Sequence, residues 1–208
     1  MSKNRLEAFS DGVVAILITI MVLELHTPRG TSWDALREDL PVLLAYVLSF
    51  VNLGIYWNNH HHMIAAVSRV SGAALWANLH LLFWLSLVPF TTAWMSENEF
   101  PPVPTAVYGL VLLAAAVAYY VLQAILLRVE GQRSVLRTAI GADPKGKLSP
   151  LLYCLGIGLC VVNRWLGLAV YVAIALMWLV PDRRVERTLT AGHTGAVPHG
   201  PAAPPSSG

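Results

Sequence analysis

Charge is what this chain has least of. Asp, Glu, Lys and Arg make up 12% of its 208 residues, about half the share usual in soluble domains. Hydrophobic residues make up 56%, and the mean hydropathy is +0.58. This balance excludes an ordinary soluble domain and predicts an all-α polytopic membrane protein. The net charge of +2, with no basic stripe interleaved with aromatics, gives nucleic acid nothing to grip. Cysteine is scarce too. Cys154 and Cys160 share one apolar segment at neither CxxC nor zinc spacing, and read as core thiols. There is no nucleophile elbow, so hydrolase chemistry has no centre. Gly156 and Gly158 are too close for GxxxG packing and too isolated for a nucleotide loop. No segment carries arginine at every third position, which argues against a voltage sensor. Val107-Tyr108-Gly109 opens a plain apolar helix and lacks the preceding Thr and second Gly of a carbonyl filter. Nothing calls for a cofactor or an enzyme.

Long apolar runs are what the chain does have. Six spans can be drawn, near 5–26, 41–64, 72–95, 104–127, 147–163 and 164–180. The last two are separated only by Asn163-Arg164 and approach the lower limit of about 17 residues for a span, so a re-entrant or tilted pair is an alternative. The first run is not a cleavable signal: Asp11 interrupts it and no small-residue cleavage site follows. With the N-terminus inside, eleven Lys and Arg lie on the inner side: Lys3, Arg5, Arg69, Arg128, Arg133, Arg137, Lys145, Lys147, Arg183, Arg184 and Arg187. Arg29, Arg37 and Arg164 are the three on the outer side. This bias predicts a multi-pass protein of the cell membrane with both termini cytoplasmic. The membrane domain is expected over 1–187. Residues 188–208, rich in Gly, Pro, Ala and Ser, read as a disordered tail.

On a helical wheel at 100° per residue, Ile16, Ile20 and Leu23 of the first span fall within about 60° of one another. Asp11 points nearly opposite, and Ser10 also lies off the stripe. A carboxylate at that depth is costly to bury and asks for partners. Candidates at matching depth are Trp57-Asn58-Asn59-His60-His61-His62, ending the second span, and Trp76, Asn78 and His80, beginning the third. Indole, imidazole and amide donors from these would satisfy Ser10 and Asp11. Two readings stay open: the network locks three helices together, or it takes part in gating or permeation. The three consecutive histidines do not share a helical face and lack an acidic or Cys partner, so no metal site is expected. Trp57, Trp84, Trp94, Trp165 and Trp178 fall mostly near helix ends, where indoles anchor at the interface.

Arg5-x-x-x-Phe9-Ser10-Asp11-Gly12, followed by the apolar helix to Leu25, resembles the signature of the prokaryotic relatives of the endosomal/lysosomal potassium channel, the transmembrane protein 175 family. Supporting matches are Phe50-x-x-x-Gly54-x-x-Trp57-x-x-His60-His61 in the second span, with Asn78-Leu79 and Pro89-Phe90 in the third. The likeness covers roughly the first 95 residues.

The resemblance implies six transmembrane helices per subunit and a homotetramer whose first helices line a central pore for potassium ions in the lipid bilayer. It implies an apolar constriction at positions five, nine and twelve after the motif Asp, here Ile16, Ile20 and Leu23, the stripe found on the wheel. Selectivity is implied at Ile16 and at the Thr19 hydroxyl. A structural polar network is implied from Arg5, Phe9, Ser10, Asp11, Trp57, His60, His61 and Asn78. The expected function is passive potassium conduction. The alternative is a proton-coupled secondary transporter or proton leak, because a carboxylate near histidines can relay protons; no inverted repeat or broken helix pair speaks for it.

Overall fold

The structure, a computed structural model, describes residues 2–130 and 144–179. The tail expected at 188–208 and the basic residues Arg133, Arg137, Arg183, Arg184 and Arg187 lie outside the described residues. Among the described residues the fold is all helical: α1 (Lys3–Leu23), α2 (Trp33–Glu38), α3 (Leu40–Ala65), α4 (Gly72–Ser86), α5 (Val88–Glu97), α6 (Pro102–Glu130), α7 (Pro144–Val162) and α8 (Arg164–Leu179). Five stretches of the described residues are long and apolar enough to cross a membrane, with α4 and α5 counted as one of 26 residues.

Three features depart from the expected spans. The surface helix α2 was not foreseen; the Ser32 hydroxyl accepts the Ala35 N–H and caps it. The third span breaks between α4 and α5, because Pro89 in the first turn of α5 has no N–H to continue the ladder. The sixth stretch, α8, has only 16 residues, about 24 Å of helix against about 30 Å of hydrocarbon. Its start is set by Asn163, whose side-chain oxygen accepts the Trp165 N–H at 2.9 Å.

Helix α6 is the spine, packed against α4, α5, α7 and α8, while α1 packs against α3, α4 and α5. One face of α6 is sealed through Tyr108, Leu112, Ala115, Ala118, Leu122 and Leu126. Small residues let the later helices close in. A Cβ on Gly109 would overlap the Tyr171 hydroxyl, so only glycine lets α8 lay that ring against α6. A buried hydroxyl cluster ties α3 to its neighbours: Ser49 Oγ lies 2.7 Å from Thr92 Oγ1 and 3.1 Å from the Tyr108 hydroxyl.

Candidate functional site

Helix α1 has two faces of nearly equal hydrophobicity and different fates. Leu6, Ser10, Val14, Leu17 and Met21 recur at helical spacing and are buried against the rest of the subunit. The other face is left uncovered by the single chain. Ile16 is 58% exposed, Ile20 40% and Leu23 81%. Thr19 shares that face, but its hydroxyl donates to the Ile16 carbonyl at 2.9 Å and is satisfied within its own helix. Phe9 and Arg5 continue the exposed face toward the N-terminus, and nothing stands over Gly12.

The polar residues at the start of α1 meet α3 and α4. Ser10 Oγ accepts from Asn78 Nδ2 at 2.9 Å and donates to the Leu6 carbonyl at 2.9 Å. Asn78 Oδ1 in turn lies 2.7 Å from His60 Nε2. Since an amide oxygen can only accept, His60 carries its proton on Nε2 here. Ser10, Asn78 and His60 are all buried, and the chain of donors leaves none of the three bare. Asp11 does not join this chain. Its Oδ1 accepts the Trp57 indole N–H at 3.0 Å.

Two further contacts, not foreseen from the sequence, complete the pairing of α1 with α3. Glu7 Oε1 lies 2.9 Å from His61 Nδ1, and Lys3 Nζ donates to the Ala65 carbonyl at 2.6 Å. Lys3, Glu7 and Asp11 therefore face Ala65, His61 and Trp57 in order. Each step of four residues along α1 is matched by a step of four back along α3, one helical turn per rung. The spacing of Lys3, Glu7 and Asp11 was the available signal. The three histidines divide accordingly: His60 turns inward, His61 pairs with Glu7, and His62 is exposed. Among the described residues, no three His, Cys, Asp or Glu side chains come together.

At the opposite end of α1, just past its last turn, Glu24 borders a cavity of about 20 Å3 with Met21, Thr92, Ser96 and Glu97. Burial pushes the Glu24 carboxyl above its usual range, and the like charge of Glu97 adds to this. The two acids make this end of the helix electronegative when ionised.

Comparison with known proteins bears on these residues. Residues 5–89, which carry α1 from Arg5 onward, α3, α4 and the contacts among Glu7, Ser10, Asp11, Trp57, His60, His61 and Asn78, match the family model described as endosomal/lysosomal potassium channel TMEM175. A potassium channel of Chryseobacterium sp. (strain P1-3) is 50% identical over 189 residues, covering 91% of this chain and 98% of that protein. A potassium channel of Streptomyces collinus is 37% identical over 187 residues, 85% of this chain and 91% of its own. Among solved structures, the crystal structure of a lysosomal potassium-selective channel TMEM175 homolog from Chamaesiphon minutus superposes with a TM-score of 0.76 at 30% identity, over 88% of this chain and 97% of that one. The chain belongs to the TMEM175 family, a family of ion channels and not of enzymes.

Proposed function

We propose that this protein conducts potassium ions passively across the cell membrane, through a pore on the central axis of a homotetramer. Six helical stretches of each subunit span the bilayer, both termini are cytoplasmic, and α1 lines the pore. Four copies of Ile16, Ile20 and Leu23 stack as apolar rings that stop ions by narrowing and dewetting, and a small outward shift or rotation of α1 opens them. Ile16 and Thr19 set the preference among cations. The Thr19 hydroxyl gives its proton to the Ile16 carbonyl and keeps its oxygen lone pairs for a passing cation. No cofactor takes part.

The observation that carries this reading is the uncovered face of α1. Ile16, Ile20 and Leu23 stand exposed on a helix whose opposite face is tied by Ser10, Asp11 and Glu7 to its neighbours. A helix held on one side and bare on the other is built to present that bare side to a shared axis. Recording purified protein in planar bilayers under asymmetric potassium and sodium tests it. Discrete unitary currents reversing near the potassium equilibrium potential are expected, and Ile16→Asn is expected to raise conductance or reduce selectivity. Unchanged currents and reversal potential in Ile16→Asn would remove Ile16 from the constriction. Potassium flux tied stoichiometrically to protons, without unitary current, would replace the channel by a coupled transporter.

A further inference from the structure

A second polar interior lies away from α1. A cavity of about 50 Å3 opens among α3, α6, α7 and α8. Three carboxamides reach its wall: Asn52 and Asn59 from α3, and Gln123 from α6. The amide nitrogens of the two asparagines are taken, Asn52 Nδ2 donating to the Leu48 carbonyl at 3.0 Å and to the Tyr108 hydroxyl of α6 at 3.4 Å, and Asn59 Nδ2 to the Ile55 carbonyl at 2.8 Å. Gln123 differs from both. It is only 7% exposed, yet among the described residues nothing takes up its amide. No sealed side-chain nitrogen or oxygen in the described residues lacks a partner. The Gln123 amide therefore faces open space, and the cavity it lines is that space.

A carboxamide deep in an apolar helix costs free energy unless a partner arrives. The remaining walls say what partner fits. Tyr56, Tyr120, Tyr153 and Trp178 present rings to the cavity. Two of these have their polar ends occupied: Tyr56 donates to the Leu112 carbonyl at 3.4 Å and Trp178 Nε1 to Ser149 Oγ at 2.8 Å. Among the described residues of the wall none is charged, so these residues offer an entering ion no counter-charge for the hydration it loses. The amide offers one donor pair and one acceptor, and a hydroxyl is both donor and acceptor. The volume exceeds the roughly 10–15 Å3 that holds one water and suits a hydroxyl with the first carbons of a chain.

We propose that this cavity binds the hydroxyl end of an uncharged alcohol-type amphiphile, held by the Gln123 amide with its carbon chain against the aromatic wall. The site lies within one subunit and does not rest on the reading of α1 as a pore lining. Full-length protein in lipid nanodiscs, irradiated with a diazirine-bearing octanol and mapped by peptide mass spectrometry, tests it. Labelling is expected to concentrate on Tyr120, Tyr153 and their neighbours in the cavity wall, above the level at the exposed Phe83 and Leu151, and to be competed by excess hexanol. Gln123→Met, close in size but without the amide, is expected to cut that labelling by about tenfold, the factor that about 1.4 kcal/mol represents. Ala116→Leu, which narrows the same cavity, is expected to do so by filling it, and decides the matter if Gln123→Met fails to fold. Competition by monoolein as well as hexanol identifies a lipid glycerol as the source; competition by hexanol alone identifies a free small alcohol. Labelling no higher in the cavity than at Phe83, or equal in all three proteins, overturns the proposal and leaves the cavity to water.

Discussion

The two faces of α1 form the sharpest contrast in the molecule. Leu6, Val14, Leu17 and Met21 are buried, while Phe9, Ile16, Ile20 and Leu23 are exposed, yet a hydrophobicity scale barely separates the two sets. In water, burial would sort them. In a bilayer it does not, because lipid tails are as apolar as leucine. What separates the faces is hydrogen bonding: the buried face carries Ser10, which has Asn78 to receive it, and the next position carries Asp11, which has the Trp57 indole. Polar contacts at one end of the helix thus decide which apolar side chains pack inward along its whole length.

The most damaging way to break the contrast is at Asn78. Asn78→Ala abandons the His60 ring nitrogen and the Ser10 hydroxyl together, at about 1–3 kcal/mol for each buried group left unpaired. The expected outcome is loss of the intact assembly, read as a collapsed elution peak and a lowered melting temperature. A variant that elutes and melts like the parent would show that the network does not orient α1. Asp11→Ala follows with a smaller effect. It frees one exposed indole N–H, which costs less than the buried groups around Asn78, and is expected to yield a weakened assembly with a poorly defined gate in single-channel records. Asp11→Asn keeps an acceptor and should restore most of the loss; failure to do so would assign the role to the charge and not to the hydrogen bond.

On the open face the same reasoning predicts nearly the reverse. Ile20→Ala removes a side chain that is 40% exposed and should shift stability by no more than about 0.5 kcal/mol, as surface changes do, while changing conductance. A loss of about 2 kcal/mol or more, typical of a core Ile→Ala change, would mean that this face is packed against protein and is not lining a lumen.

Much of this contrast was legible in the sequence, and its gaps have physical reasons. The stripe of Ile16, Ile20 and Leu23 follows from helical periodicity alone, and Ser10 and Asp11 announce donors because bare polar groups in lipid are costly. The rungs from Glu7 to His61 and from Lys3 to Ala65 were missed. A charged residue ahead of an apolar run reads as solvated until its one-turn spacing is set against an antiparallel neighbour. The break at Leu87–Val88 was signalled by Pro89 but masked by unbroken hydrophobicity across it. The cavity around Gln123 had no signal of its own. Its residues come one or two to a turn from four helices, and only tertiary packing makes them neighbours.

The far end of α1 offers the mildest test. Glu24 comes one turn after Met21 but is exposed, unlike Ser10 at the other end, and it meets the like charge of Glu97 across a small cavity instead of a donor. Burial is the larger cause of its raised carboxyl and Glu97 the smaller. A raised carboxyl favours the protonated form in the folded state, so this site adds no penalty in acid. It becomes unfavourable as pH rises from the ordinary carboxylate range through the elevated value. Because Glu24 is exposed, solvent keeps that penalty small, and its titration is the better readout than melting. Glu97→Gln, followed by carbon NMR of the Glu24 carboxyl, is expected to move its midpoint down part of the way, leaving the shift that burial imposes. A midpoint that stays in place would mean the two carboxylates do not face each other, and the C-terminal end of α1 would then differ from the N-terminal end only in lacking a partner.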